Sequence, residues 1–443
     1  MAILFFQLAS PAVFSQSDAQ EKTANAESRQ TGAALTLAEL ERMALDNNPT
    51  LAQADAAIRV AEGKRKQAGL FPNPVIGYQG EELSTRAFSE KSEHYFFVEQ
   101  TIPTGGKLKK SRRIFEHEKT EAASEKEAQR QRVLNSVRLL YYEALASDER
   151  VELRKRLSRL ANEAVKISEE LFNIGQADRP DLLESEVEAQ QTELALIEAE
   201  NEREKIWQMM AAVVGNPALK PVRLAGNLEA AVPALDRETL LASLIAASPE
   251  IKGAQARVER ARAVIDRARA ERAPDIFLRG GFGYSREKLE GTNRATGPEG
   301  FVEAGIRIPL FNRNQGNIAA AQAELIIAER DVQRLELSLR ARFSDVFAEY
   351  SSSLRVVERF QQRILPRAEK AYELYLTSFR QMAAAYPQVL IAQRTMFQVR
   401  EEYIRALARL HQNAIRLQGF LLTGGLNAPA MRATEEAGDT TDR

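Results

Sequence analysis

From residue 106 to residue 174 apolar side chains return in a three-and-four rhythm: Val133, Val137, Leu140 and Ala144, then Leu153, Leu157, Leu160, Ala164, Ile167 and Leu171. That rhythm lines them up along one stripe of an α-helix, as a seam against a partner helix. No proline or glycine occurs between Gly106 and Gly175, so 106–174 is predicted to be one helix, roughly 100 Å long at about 1.5 Å per residue. A compact globular domain has no room for it. The plainest expectation is an isolated coiled coil, and the flanking segments decide whether that is enough.

Before the seam, a helical pattern opens at Leu35, breaks at Asn47-Asn48-Pro49 and resumes over 50–68. It stops at Leu70-Phe71-Pro72-Asn73-Pro74, since a proline drives the residue before it out of the helical region. Residues 75–81 and 94–102 read as strands with a polar loop between them. After the long helix, Gly175 and Gln176 to Pro180 turn the chain into a returning helix over 181–214, which closes at Gly215-Asn216-Pro217 and leads into a connector up to Leu235. The order then recurs. Pro249 and Pro274 follow Pro49 and Pro74 by 200 residues, while Pro309 and Pro387 follow Pro103 and Pro180 by 206 and 207. Four landmarks at nearly one offset indicate an internal duplication, with a first repeat over 35–235 and a second over 236–426. The second is expected to hold strands 276–285 and 301–308, a long helix 315–379 and a return helix 388–421. Residues 1–15 resemble the apolar part of a secretory signal without its basic lead, with cleavage expected near Ser15-Gln16. Residues 16–34 and 427–443 are polar and expected to be disordered.

The strands alternate. Val302, Ala304, Ile306 and Ile308 are interleaved with Glu303, Gly305 and Arg307, and Ile276, Leu278, Phe282 and Tyr284 with Arg279, Gly281 and Gly283. One face is apolar and the other polar or small. Strands of about 8 to 10 residues cross a bilayer when tilted, and Tyr78, Tyr95, Phe96, Phe97, Phe277, Phe282, Tyr284, Phe301 and Phe311 supply aromatics for interfacial girdles. Four strands are fewer than the roughly eight of the smallest single-chain membrane barrel, and an open edge in lipid leaves backbone groups unpaired. Strands in lipid would therefore have to share a barrel with other subunits. A soluble sheet packed on helices is the alternative that periodicity leaves open.

Composition narrows the function more than the fold. The 61 basic and 62 acidic residues leave a net charge of −1 with no separate basic domain, which argues against nucleic-acid binding. There is no cysteine, so thiolate chemistry is out. No 18-residue apolar run offers a transmembrane helix. No nucleophile motif, phosphate loop or metal-ligand cluster points to an enzyme or to a cofactor.

Taken together, the chain from about Leu35 to Leu426 resembles the TolC family of outer-membrane efflux ducts. The duplicated plan and the proline-led strands carry the likeness, as do the two tip sequences: Leu171-Phe172-Asn173-Ile174-Gly175 ahead of Asp181-Leu182-Leu183-Glu184, and Ser378-Phe379-Arg380 ahead of Gln388-Val389-Leu390-Ile391. Phe71-Pro72-Asn73-Pro74, Gly105-Gly106-Lys107 and Ile308-Pro309-Leu310-Phe311-Asn312-Arg313-Asn314-Gln315-Gly316 look most like the outer-membrane subunits of cobalt-zinc-cadmium heavy-metal pumps. The resemblance implies a mainly α fold with a small transmembrane β part. Three copies would give four strands each to a 12-stranded barrel continued by a coiled-coil tunnel into the periplasm. A periplasmic adaptor and an inner-membrane resistance-nodulation-division pump would dock at the tips, and conduction would be passive through an iris that these partners open. Two departures stand out. The chain lacks the amino-terminal cysteine that many relatives use for lipid attachment. The family's gate aspartates in the second tip fall here on Gln388 and Ile391, so any charged constriction must come from Asp181 and Glu184. The alternatives are a periplasmic coiled-coil scaffold, or a duct of the same family for drugs and other organic solutes.

The tip candidates are Gly175, Asp178, Arg179, Asp181 and Glu184 in the first repeat, and Arg380, Gln381, Tyr386 and Gln388 in the second. For the acids, helix capping stands against a threefold ring that binds cations. Arg380, Gln381 and Tyr386 either lock a closed state or are merely solvated. His117 among Glu116, Glu118 and Glu121 reads as a solvated helix face, and His94 and His411 as isolated. Arg257, Arg260, Arg267 and Arg272 fit tunnel lining or salt-bridged coiled-coil flanks equally well.

Overall fold

A computed structural model describes residues 34–81, 92–232, 234–288, 291, 294–381, 383 and 386–429. The expected signal segment, nearly all of the lead-in and most of the tail lie outside these residues. Helices α1 (Leu37–Asn47) and α2 (Pro49–Gln67) lead to strands β1 (Val75–Glu81) and β2 (Glu93–Ile102), then to α3 (Lys107–Asn173) and α4 (Arg179–Val214). Helices α5 (Arg237–Ala247) and α6 (Pro249–Ala270), strands β3 (Ile276–Lys288) and β4 (Ala295–Ile306) and helix α7 (Gln315–Arg359) repeat that order, followed by α8 (Leu365–Arg380) and α9 (Tyr386–Gln418).

Local chemistry sets the boundaries. Thr36 and Glu39 form a reciprocal capping box at the start of α1, with the Thr36 amide donating to Glu39 Oε2 at 2.9 Å. Pro49 sits in the first turn of α2, where no amide proton is missed, and Asn48 Oδ1 accepts from the Thr50 amide at 3.0 Å. Gly215 ends α4 at φ 75°, a left-handed conformation that glycine adopts without steric cost.

α3 is the axis of the molecule, 67 residues long. Near the sheet α2 and α6 pack against it, and α6 also packs on α7; farther away α4 and α9 take over, with α9 also holding α7 and α8. The seam residues Val133, Val137, Leu140, Ala144, Leu153, Leu157 and Ala164 are buried. All but Ala164 join Trp207, Met210, Leu339, Phe343 and Leu417 in one long core. A buried polar cluster fastens residues 419–427 across it. Asn135 Nδ2 donates to the Gly419 and Leu422 carbonyls at 2.7 and 2.8 Å. Gln129 Nε2 donates to Thr50 Oγ1 at 2.8 Å and to the Asn427 carbonyl at 3.1 Å.

The four strands form one antiparallel sheet in the order β1-β2-β3-β4, so the two halves of the chain meet at the β2–β3 pair. All four strand–helix junctions lie at one end, since Ile102 pairs with Ile276 and Ile276 with Ile306.

The structure corrects several boundaries. The helix expected over 315–379 is interrupted by a π turn at Phe360–Ile364. Pro366, two residues beyond, lacks an amide proton and its ring would strike the carbonyl four residues back, and a widened turn relieves both problems. β3 runs on to Lys288, and β4 begins at Ala295 and ends at Ile306, because the expected loop pairs as strand as far as Lys288↔Ala295. α9 stops at Gln418, ahead of Phe420 and Leu421 at φ 58° and 60°.

Candidate functional site

Two surfaces hold the candidate residues: the sheet and the helical tips. On the outer face of the sheet Ile76, Tyr78, Phe96, Val98, Leu278, Phe282, Tyr284, Val302 and Ile306 are all exposed, with Val302 at 84%. The register places them side by side, as in Tyr78↔Phe96↔Phe282. An apolar face this extensive does not suit water, and among the described residues no helix covers it.

The opposite face is polar and interlocked. Phe97 lies over Gly77, Phe301 over Gly281, Phe277 over Gly305 and Tyr95 over Gly283, each ring filling the space where a Cβ would stand. At the centre the Arg279 guanidinium lies 3.9 Å from the centroid of Phe97 and 5.7 Å from that of Phe301. It also donates to Gln79 and is 3.9 Å from Glu303. The Tyr95 hydroxyl donates to Glu93 at 3.0 Å and to Glu299 at 3.1 Å. This lattice escaped sequence reasoning, because glycines in a strand read only as weak strand formers. The signal that could have found it is their alternation with inward aromatics.

At the first tip Gly175 takes φ 75°, and the amides of Gln176 and Ala177 close on the Leu171 carbonyl at 2.8 and 3.2 Å. Asp178 is the N-cap of α4, and its amide donates to Asp181 Oδ2 at 3.5 Å. Both aspartates therefore serve the helix start, as the capping reading holds. Arg179 and Glu184 are exposed, with Glu184 one turn beyond the cap. At the second tip Arg380, Gln381 and Gln388 are exposed; the Tyr386 side chain lies outside the described residues. No described hydrogen bond or ion pair joins the candidates of one tip to those of the other. What ties the two hairpins is Glu188 to Arg394 at 2.7 Å, an ion pair between α4 and α9 whose partners stand 206 residues apart. Farther along, Glu401 takes both Arg154 and Arg405. None of these was singled out in the sequence, where each is one charge among many on a helix flank.

Three of the four arginines singled out on α6 and just beyond it resolve into packing. Arg257 pairs with Glu121 at 3.3 Å and Asp331 at 3.0 Å, and Arg260 reaches Glu121 at 4.0 Å, binding α6 to α3 and α7. Arg267 pairs with Glu271. His117 stays on α3, and among the described residues no group of three or more His, Asp or Glu is arranged to hold a metal ion. His411, isolated from the other histidines in the sequence, lies in the interior. It is buried, stacks on Tyr142 at 4.1 Å and donates from Nε2 to the Leu228 carbonyl at 2.8 Å. Burial pushes its pKa below the ordinary histidine value. Burial also raises the carboxyls of Glu143 and Glu149 on α3, aided by Glu202 and Glu229 respectively.

Residues 40–216 and 240–422 match the family described as outer membrane efflux protein. The chain is 26% identical over 399 residues to the cobalt-zinc-cadmium resistance protein CzcC of Cupriavidus metallidurans, covering 89% of this chain and 91% of that protein. It is 24% identical to the pyoverdine export outer membrane protein OpmQ of Pseudomonas putida, covering 83% of this chain and 82% of that protein. Its fold is similar to that of the outer membrane protein VceC of Vibrio cholerae, at a TM-score of 0.68 and 20% identity, over 88% of this chain and 97% of that one.

Proposed function

The chain belongs to the outer membrane efflux protein family, and on that premise we propose that three copies close one 12-stranded barrel and conduct heavy-metal cations out of the cell. It is an outer-membrane efflux channel that extends into the periplasm, the outer-membrane component of a tripartite export system. The observation that supports the trimer is the sheet itself. Among the described residues β1 and β4 each have a free edge, and the outer face is apolar, so the edges must pair with other copies before the face can enter lipid. Two copies would give eight strands, a barrel just wide enough for its inward side chains to fill. Phe97, Phe277, Phe301 and Arg279 would fill it. Three copies are the smallest number that leaves a passage.

The helices then continue the barrel as a tunnel, and the tips become its far end. We assign the gate to the Gly175 and Gln388 turns, with Asp178, Arg179, Asp181, Glu184, Arg380, Gln381 and Tyr386 around it, and the two halves of the chain to two structural repeats. A periplasmic adaptor and an inner-membrane pump of the resistance-nodulation-division class engage that end and supply the energy. The duct itself carries out no chemical step: its polar inner face replaces water contacts for the solute, and its apolar outer face replaces lipid contacts. The likeness to the cobalt-zinc-cadmium protein over nine-tenths of the chain favours metal cations; the pyoverdine exporter's likeness supports an organic solute as the second reading.

Purified protein in planar bilayers tests the assembly: discrete conductance steps from a trimer are expected, and a soluble monomer without conductance would sink the reading. Deleting the gene is expected to sensitise cells to divalent heavy metals, whereas sensitivity to organic compounds alone would transfer the substrate to the second reading. Asp181→Asn with Glu184→Gln is expected to lower the cation preference of the pore. Unchanged selectivity would return both acids to the helix start alone.

A further inference from the structure

The four strand–helix junctions gather an uncommon density of positive charge at one end of the sheet. Residues 64–74, 103–113, 266–275 and 307–316 contain thirteen Lys and Arg against three Asp and Glu, in a chain whose net charge is −1. Part of this has a local explanation. Lys64, Arg65, Lys66, Arg267 and Arg269 fall in the last turns of α2 and α6, where cations complement the helix C-terminus. Lys107 is buried and paired with Glu271 and Asp275.

That explanation fails for the rest. Lys109, Lys110, Arg112 and Arg113 stand in the first two turns of α3, the end of a helix where cations are unfavourable. None of them makes an ion pair within 4.0 Å among the described residues, and neither do Arg272, Arg307 and Arg313. Lys109, Arg112 and Arg113 are exposed. Beside this collar the turns between strand and helix expose apolar side chains: Leu70 at 57%, Phe71 at 64%, Leu310 at 62% and Phe311 at 92%. Arg112 lies against Gly69, next to the first of these turns. Unpaired cations next to protruding Leu and Phe, at the rim of a lipid-facing sheet, match the boundary between acyl chains and anionic headgroups.

We infer that this collar binds anionic phospholipid headgroups of the periplasmic leaflet, with Leu70, Phe71, Leu310 and Phe311 seated among the acyl chains beneath them. The occupant follows from the charge and from continuity with the apolar face of the sheet. This rests on the reading of the sheet as membrane-spanning.

The full-length protein, assembled in detergent, is reconstituted into vesicles of phosphatidylethanolamine alone or with one-fifth phosphatidylglycerol or cardiolipin. Insertion, read as channel activity, is expected to be faster into anionic vesicles by about tenfold or more, and the advantage should fall with added salt. K109Q/K110Q/R112Q/R113Q is expected to lose most of that advantage while keeping wild-type helix content, assembly and unit conductance. Leu310→Ser with Phe311→Ser is expected to slow insertion into both kinds of vesicle. Equal insertion of the wild type into neutral and anionic vesicles would overturn the inference and leave the channel reading intact. A quadruple variant with altered ion selectivity but unchanged lipid preference would overturn it too, by placing the cations in the passage. Failure to conduct in any vesicle would instead strike the channel reading.

Discussion

Gly283→Ala should damage the sheet, and Gly280→Ala, only three residues earlier, should not. The two glycines lie on opposite faces of β3. A Cβ on Gly283 would fall well inside 3.0 Å of both the His94 carbonyl oxygen and the Tyr95 ring. The carbonyl belongs to the paired strand, where Gly283 faces Tyr95 across the β2–β3 ladder, so it cannot swing aside like a side chain. β2 and β3 must separate at that pair. Overpacking of this kind costs about 1–3 kcal/mol, and weakening one ladder hydrogen bond adds about 1 kcal/mol. The lower backbone entropy of alanine in the unfolded chain returns about 0.5–1 kcal/mol, leaving a net loss of about 1–3.5 kcal/mol for each copy. At Gly280 the nearest atom to a Cβ is the Phe301 carbonyl oxygen at 3.7 Å, an ordinary contact, so only the entropic gain remains.

The two variants can be compared by the temperature at which the detergent-solubilised assembly loses its compact mobility on a gel. Gly283→Ala is expected to lower that temperature by many degrees and Gly280→Ala to leave it unchanged or raise it slightly. If both fell alike, the aromatic–glycine lattice would not be what holds the two halves of the sheet in register. If neither moved, the ladder would be more compliant than the contacts imply.

Two other outcomes follow from buried polar groups. Asn135→Ala removes the side-chain donors to the Gly419 and Leu422 carbonyls. The Gly419 carbonyl keeps the Leu422 amide at 3.1 Å, but the Leu422 carbonyl loses its side-chain donor, which should cost about 1–3 kcal/mol and be seen as earlier protease cleavage after α9. His411 is held neutral by burial, so the unfolded chain binds more protons, and stability should fall as the pH drops through the ordinary histidine value near 6.5. His411→Asn should flatten that slope in thermal melts between roughly pH 7.5 and 5. The raised carboxyls of Glu143 and Glu149 work in the opposite sense, stabilising the fold at acid pH and losing that contribution as pH rises through their raised values.

The parts of this fold that were legible in the sequence are those written as a period. Val133 to Leu171 carry a coiled-coil seam over a length only a long helix can use, and Val302 to Ile308 carry an alternation that only a two-faced sheet can use. Contacts between residues distant in the chain have no period. The pairing of β2 with β3 is set by how the two halves lie together, and so is the ion pair of Glu188 with Arg394 across 206 residues. Pro366 stands in the sequence, but a proline can bend, end or widen a helix, and only the structure shows the wide turn, from which Gln361 donates to Tyr403 on α9 at 2.8 Å. The tip acids were ambiguous for another reason. A carboxylate that caps a helix and one that faces a pore have the same local sequence, so Asp178 and Asp181 can be read either way; their hydrogen bonds show the helix start, and the pore role is left to the selectivity of Asp181→Asn with Glu184→Gln.

The two halves are also unequal, and the inequality says where the missing contacts belong. Toward the first tip α3 still buries Ala161, Ala164 and Ser168 against its own chain. The matching helix of the second half, α8, has no buried residue at all and leaves Leu374 and Tyr375 exposed at 55% and 43%. α4 likewise exposes Leu183, Val187, Leu194 and Ile197 at helical spacing. A lone chain with two such stripes would leave apolar surface in water at about 25 cal/mol for every Å². Both stripes belong to the outer members of the four-helix layer, as the free edges of β1 and β4 belong to the outer strands of the sheet. Helix and sheet thus leave their unfinished surfaces on the same two flanks. A second copy placed to complete one flank of the barrel would, in the same movement, cover the helical stripes below it.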